Sequence, residues 1–99
     1  MTHEAYQTRC YTSYSGISLP LKLVGEIPEH DMRNRNTYFQ GSFDLQERLC
    51  ICRKIVYGET EVEHRYSYHD NGALKQAVIS GEDEDEFTTL NFDEQGNPL

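Results

Sequence analysis

The chain predicts an all-β domain: an antiparallel meander of about five strands, with at most one short helix and an N-terminal segment covering one face. Three observations carry that prediction. Seven Tyr and four Phe occur without a single Trp, and such side chains favour the half-buried surface of a sheet. Short runs of alternating apolar and polar residues are bounded by Gly, Asn and Asp through the second half. A motif also recurs there at a nearly fixed interval, the mark of a repeated supersecondary unit.

With 99 residues the chain makes one domain, 1–99, long enough to bury a core without disulfides or metal. It divides into a covering segment, 1–36, and a repeated hairpin meander, 37–99. In the first segment Arg9 to Tyr14 alternates loosely, and Tyr14-Ser15-Gly16-Ile17 can turn. Ile17, Leu19, Leu21 and Leu23 would share one strand face, with Pro20 forcing an edge or an interruption. Pro28 followed by Glu29 and Asp31 begins like a helix, of one turn at most. A single antiparallel sheet must hide its apolar face, so the segment is expected to lie across it.

The repeat consists of Phe43-Asp44-Leu45-Gln46-Glu47-Arg48-Leu49, Tyr68-His69-Asp70-Asn71-Gly72-Ala73-Leu74 and Phe92-Asp93-Glu94-Gln95-Gly96-Asn97-Pro98-Leu99. The aromatics lie 25 and 24 positions apart. Asp or His opens each turn and Gly closes two of the three, which suits a type I turn followed by a left-handed residue. Glu47 occupies that slot in the first unit, making it the weakest turn. Strands are therefore expected at about 37–43, 48–57, 60–68, 73–80 and 87–92.

Between units, Tyr57-Gly58-Glu59-Thr60 offers a two-residue loop centred on Gly58-Glu59. That choice pairs Ile55 with Val62, Ile51 with Tyr66 and Leu49 with Tyr68, on one apolar side. Lys54 then meets Glu63, Cys52 lies beside Arg65, and Cys50 beside Ser67, on the other. The repeat turns pair Phe43 with Leu49, Tyr68 with Leu74 and His64 with Val78.

The net charge is −8, unevenly placed: residues 1–69 carry nine acids and eight bases, and residues 70–99 carry eight acids and one base. The acidic third, with five consecutive acids at Glu82, Asp83, Glu84, Asp85 and Glu86, would repel nucleic acid and attract a basic protein partner. Those five residues are the candidate partner-binding residues, against the simpler reading of a solubilising face. No apolar run is long enough for a membrane helix, and no secretory signal opens the chain. Three Cys do not form a disulfide framework, so a cytosolic location with reduced thiols is expected.

The aromatic-Asp-x-x-Gly-x-Leu units resemble the YD/Rhs-type and YwqK-like (variant MORN) hairpin repeats of bacteria, over residues 37–99. Tyr14-Ser15-Gly16, Leu19-Pro20-Leu21-Lys22-Leu23-Val24 and Arg35-Asn36-Thr37-Tyr38-Phe39, with the Tyr68 unit, are similar to short bacterial proteins. The resemblance implies a scaffold or recognition surface, in some relatives toxin neutralisation, and no catalytic residues. Glu47 in place of Gly, and Pro98 ahead of Leu99, depart from the pattern.

No catalytic, cofactor-binding or metal-binding residue is expected. Cys50-x-Cys52 would place both thiols on one face, poorly directed for a disulfide and short of two zinc donors. Cys52 and His64, a conceivable nucleophile and base, fall on opposite faces. Glu61 and Glu63 share a face among Lys54 and Arg65, as a surface charge lattice does. His69 sits in a turn facing water. The expectation is a non-catalytic protein-binding module, monomeric or weakly dimeric through its sheet edges. Its rivals are an acidic inhibitor or immunity-like protein, and a small metal or thiol protein using Cys50, Cys52 and a histidine.

Overall fold

The aromatic–turn units fold as their residues imply. The Glu47, Gly72 and Gly96 N–H groups donate to the Asp44, His69 and Asp93 carbonyls, and those same three residues donate to the carbonyls of Arg48, Ala73 and Asn97. The fourth position takes positive φ each time: 63° at Glu47, 91° at Gly72 and 86° at Gly96. Glycine enters that region freely, whereas a side chain costs about 1–2 kcal/mol there. Asp44 and Asp93 lock the outer turns, each carboxylate accepting two backbone N–H groups at 2.9 Å. His69 replaces Asp in the middle turn, and Asn71 supplies the acceptor for the Ala73 N–H at 3.0 Å instead.

These turns sit in a computed structural model that describes residues 7–16, 18–81 and 86–99. Among them the strands are β1 (Gln7–Ser15), β2 (Lys22–Glu26), β3 (Thr37–Phe43), β4 (Leu49–Val56), β5 (Glu59–Tyr68), β6 (Leu74–Ser80) and β7 (Phe87–Asn91). A short 3-10 helix, Glu29–Asn34, follows Pro28, with Glu29 and Asp31 in its first turn. The sheet is antiparallel throughout, in the order β2-β1-β3-β4-β5-β6-β7. The all-β class holds, as do the five strands expected beyond residue 36, each to within about a residue.

The N-terminal segment covers the apolar face in a way the sequence did not specify. Residues 7–15 and 22–26 join the sheet instead of forming a separate layer. The leucine run is not one strand: Leu19–Leu21 belong to the β1–β2 connection, and β2 begins at Lys22. Leu19, Leu21 and Leu23 nevertheless pack on a buried cluster of Leu49, Cys52, Tyr66 and Ala77. The Leu21 N–H donates to the Tyr66 hydroxyl at 3.3 Å. In a flat sheet β2 and β5 would lie roughly 19 Å apart, four strand spacings. The sheet therefore curls until its first hairpin meets its middle strand. Gly41 on β3 permits this, because a Cβ there would lie 2.7 Å from the Leu23 side chain and 3.1 Å from that of Leu49.

The β4–β5 register differs from the expected one. The turn residues are Tyr57 and Gly58, with φ of 50° and 81°. Positive φ at both centres is the type I′ geometry, whose twist matches the flanking strands. Val56 consequently faces Glu59. An irregularity between Lys54 and Ile55 then leaves Glu61 as an extra residue on β5. The pairs Ile55–Val62, Ile51–Tyr66, Leu49–Tyr68, Lys54–Glu63, Cys52–Arg65 and Cys50–Ser67 are not formed. In their place Cys52 faces His64, Lys54 faces Val62, Arg53 faces Glu63 and Ile51 faces Arg65.

Phe43–Leu49 and Tyr68–Leu74 pair as expected. One extra residue follows each, Cys50 in β4 and Lys75 in β6, so His64 faces Ile79 and not Val78. The bulge after the turn is thus part of the repeat. It also brings Leu49 and Cys52, three positions apart, into one buried cluster.

Candidate functional site

The bulges and the curl create a cavity of about 270 Å³ on the apolar face. Tyr14 from β1, Leu21 from the β1–β2 connection, Phe39 from β3 and Val62 from β5 form its apolar wall. Tyr14 and Phe39 meet edge to face, their ring centres 5.4 Å apart. Cys52, Lys54, Glu61 and His64 bring the polar groups. Cys52 and His64, expected on opposite faces, are cross-strand neighbours here.

That proximity does not make a nucleophile. Cys52 is only 3% exposed, and burial pushes its thiol up to about 11. A thiol in that range stays protonated at neutral pH, the opposite of an activated cysteine. Burial also lowers the pKa of His64, so its imidazole is neutral. Its Nδ1 lies 2.6 Å from the Tyr66 hydroxyl, which already accepts the Leu21 N–H. The buried hydroxyl proton needs an acceptor, and Nδ1 provides it, leaving the proton of the neutral ring on Nε2. Burial pushes the Tyr66 phenol to about 12, so it keeps that proton.

The glutamates separate instead of sharing a face. Glu61, the extra residue of β5, pairs with Lys54 at 3.1 Å beside the cavity. Glu63 lies on the opposite side, with one oxygen 2.8 Å from Arg53 Nε and the other 2.5 Å from Arg65 Nε. Burial opposes its ionisation, but the two guanidinium groups outweigh it and hold its carboxyl below the usual range. This charge lattice borders a groove of about 510 Å³ that runs across β5 and β6 to Phe87 on β7.

Beyond β6 the sheet ends at β7, and all five β7 residues are exposed. Its sequence Phe87-Thr88-Thr89-Leu90-Asn91 contains no charge, Pro or Gly, the usual protections of an edge. The Phe92 N–H points to Lys75 on β6, whereas the Asn91 carbonyl points outward and accepts the Leu99 N–H. Successive residues of a strand alternate in this respect, so Phe87 and Thr89 direct their N–H and C=O groups away from β6.

Of the candidate partner-binding residues, Glu82, Asp83, Glu84 and Asp85 lie outside the described residues, and Glu86 is exposed just before β7. Cys50 is half-buried, and as the extra residue of β4 it interrupts the alternation that would have aligned it with Cys52. His69 is half-buried too: its Nε2–H donates to the Phe92 carbonyl at 2.9 Å, so it ties the second turn to β7 instead of facing water. Asn71 adds a bond to the Glu94 carbonyl at 2.8 Å. Among the described residues, no three His, Cys, Asp or Glu side chains converge as metal ligands, and no helix is long and apolar enough to cross a membrane.

Tyr14, Leu21, Phe39 and Tyr66 carried no site signal in the sequence, because each reads as an ordinary core residue. One signal was available for the bulge: Leu49-Cys50-Ile51-Cys52 is four apolar residues in a row, which strict alternation does not allow.

The chain belongs to the family described as "Family of unknown function (DUF6156)", whose model matches residues 3–99. Neither the curated proteins nor the solved structures contain a match.

Proposed function

We propose that this protein is a non-catalytic protein-binding module that takes an extended, basic segment of a partner along the outer edge of β7. One observation carries the reading: β7 is exposed over its length, uncharged, and directs the Phe87 and Thr89 backbone groups outward. A strand added there gains ladder hydrogen bonds to the outward groups of Phe87 and Thr89, which no other described strand pairs. The groove that ends at Phe87 offers room for side chains of the added strand.

Charge selects the partner. Residues 70–99 carry eight acids and one base, with five of the acids immediately before β7 in sequence. A basic segment is drawn toward this surface and an acidic one is repelled, which accelerates association and makes it salt-dependent.

The test uses a labelled peptide of alternating Lys and Val, titrated with the full chain and followed by fluorescence anisotropy at low and high salt. Saturable binding that weakens with salt is expected. Thr89→Pro removes an outward N–H without touching the β6–β7 ladder and places a ring on the edge. It should weaken binding about tenfold or more, the loss of a hydrogen bond plus a steric block. Unchanged affinity of a folded Thr89→Pro variant would refute the edge as the docking site.

A further inference from the structure

The cavity on the apolar face is not used by strand capture at β7 and stands on separate observations. Its walls at Tyr14, Leu21, Phe39 and Val62 are apolar, and two of them are aromatic rings. Its charged groups cancel, since Lys54 and Glu61 are already paired at 3.1 Å. Its thiol, on Cys52, is un-ionised and buried. Two neutral donors remain, the Tyr14 hydroxyl and the His64 imidazole, and the fold holds the second in place. His64 lines the cavity with Nδ1 committed to Tyr66, and the Tyr66 hydroxyl in turn accepts the Leu21 N–H. The ring is therefore fixed from behind, which leaves its Nε2–H to offer.

We infer that this cavity binds a small, uncharged aromatic molecule bearing one hydrogen-bond acceptor, such as an aryl ketone or aryl amide. Its ring packs against Tyr14, Phe39 and Val62, and its carbonyl oxygen accepts the His64 Nε2–H. The size follows from the volume: about 270 Å³ filled at interior density holds roughly ten non-hydrogen atoms. The neutrality follows from the ion pair. A carboxylate would have to displace Glu61 from Lys54, and an ammonium would have to displace Lys54 from Glu61, each at the cost of desolvating a charge. The arrangement is that of a small ligand site, an apolar pocket with few convergent polar groups.

Benzamide serves as the probe, with benzoate and benzylamine as its charged counterparts. Two-dimensional NMR of the full chain follows the His64 and Phe39 ring resonances during each titration. Benzamide should shift both and saturate with a dissociation constant of about a millimolar or tighter, a reasonable affinity for so few atoms. The charged counterparts should bind about tenfold more weakly or worse. Val62→Phe fills the cavity and should abolish the shifts at Phe39. His64→Phe removes the donor and should weaken benzamide about tenfold, the worth of one hydrogen bond. Thermal melts confirm that both variants fold, and Thr89→Pro should bind benzamide like the parent. Absence of any saturable shift with benzamide overturns the proposal, and so does equal binding of benzoate or benzylamine. Undiminished binding by a folded Val62→Phe variant overturns the location.

Discussion

The turns at residues 44–48, 69–73 and 93–97 close within five residues each, by the same two backbone hydrogen bonds. The connection between β1 and β2 is held differently: the Leu21 N–H reaches a hydroxyl forty-five positions away, and Leu19 and Leu21 pack against a cluster drawn from β4, β5 and β6. The first kind of contact is local and repeats wherever its residues recur. The second exists only once the sheet has curled. Local turns set the strand spacing cheaply, since little chain entropy is lost in closing them. The distant contact creates the cavity, because it brings Leu21 over the Cys52–His64 pair.

Replacing Tyr66 tests the distant half of this contrast and should have the largest effect. Tyr66→Ala removes a core ring that is 5% exposed and should cost about 3–5 kcal/mol in urea unfolding. Tyr66→Phe keeps the ring and loses only the hydroxyl that joins Leu21 to His64, for about 1–2 kcal/mol. In hydrogen exchange, the losses of protection in Tyr66→Phe should concentrate in residues 7–26 and spare the turns at 69–73 and 93–97. Uniform loss across the sheet would mean that the first hairpin and the repeat are one cooperative unit.

The turns test the local half, with a smaller effect of opposite sign at two positions. Gly72→Ala forces a side chain into φ 91° and should destabilise by about 1–2 kcal/mol. Glu47→Gly relieves the same strain at φ 63° and should stabilise by up to about 1 kcal/mol. It gives up the ion pair with Arg9, but the Glu47 side chain is 63% exposed and such pairs contribute little. A destabilised Glu47→Gly would show that the Arg9–Glu47 contact, with Arg9 stacked 4.3 Å over Phe43, matters more than backbone strain.

The smallest effect is one of pH. Burial holds the His64 pKa below its ordinary 6.5, so the unfolded chain takes up this proton first. Its contribution to stability is complete above about 6.5, falls as pH drops through that value, and levels off below the folded pKa. Cys52, Lys54, Glu61 and Tyr14 share the cavity with His64, and Tyr66 contacts its ring. Among these, Cys52 and Tyr66 are pushed above the range by burial. His64→Gln should flatten the dependence of the urea midpoint on pH in this window. An unchanged slope would assign it to another group.

Five strands, three turn positions and the left-handed slot at Glu47 were legible because each is written in a handful of adjacent residues. The register was not. Alternation gives the parity of a strand, and a single extra residue at Cys50, Glu61 or Lys75 reverses it for everything beyond. That reversal carried His64 from the far face to the side of Cys52, and sent Glu63 to Arg53 and Arg65 while Glu61 stayed with Lys54.

Alone, the sequence determined the all-β class, the hairpin repeat, the outermost position of Phe87–Asn91 in the meander, and the acidic balance beside it, since composition and short-range turn chemistry suffice for each. Only the tertiary structure decided which side chains meet across the sheet and that the first hairpin folds back onto Tyr66. Those outcomes depend on where bulges fall and how far the sheet curls, and both are settled by the packing of residues distant in the chain.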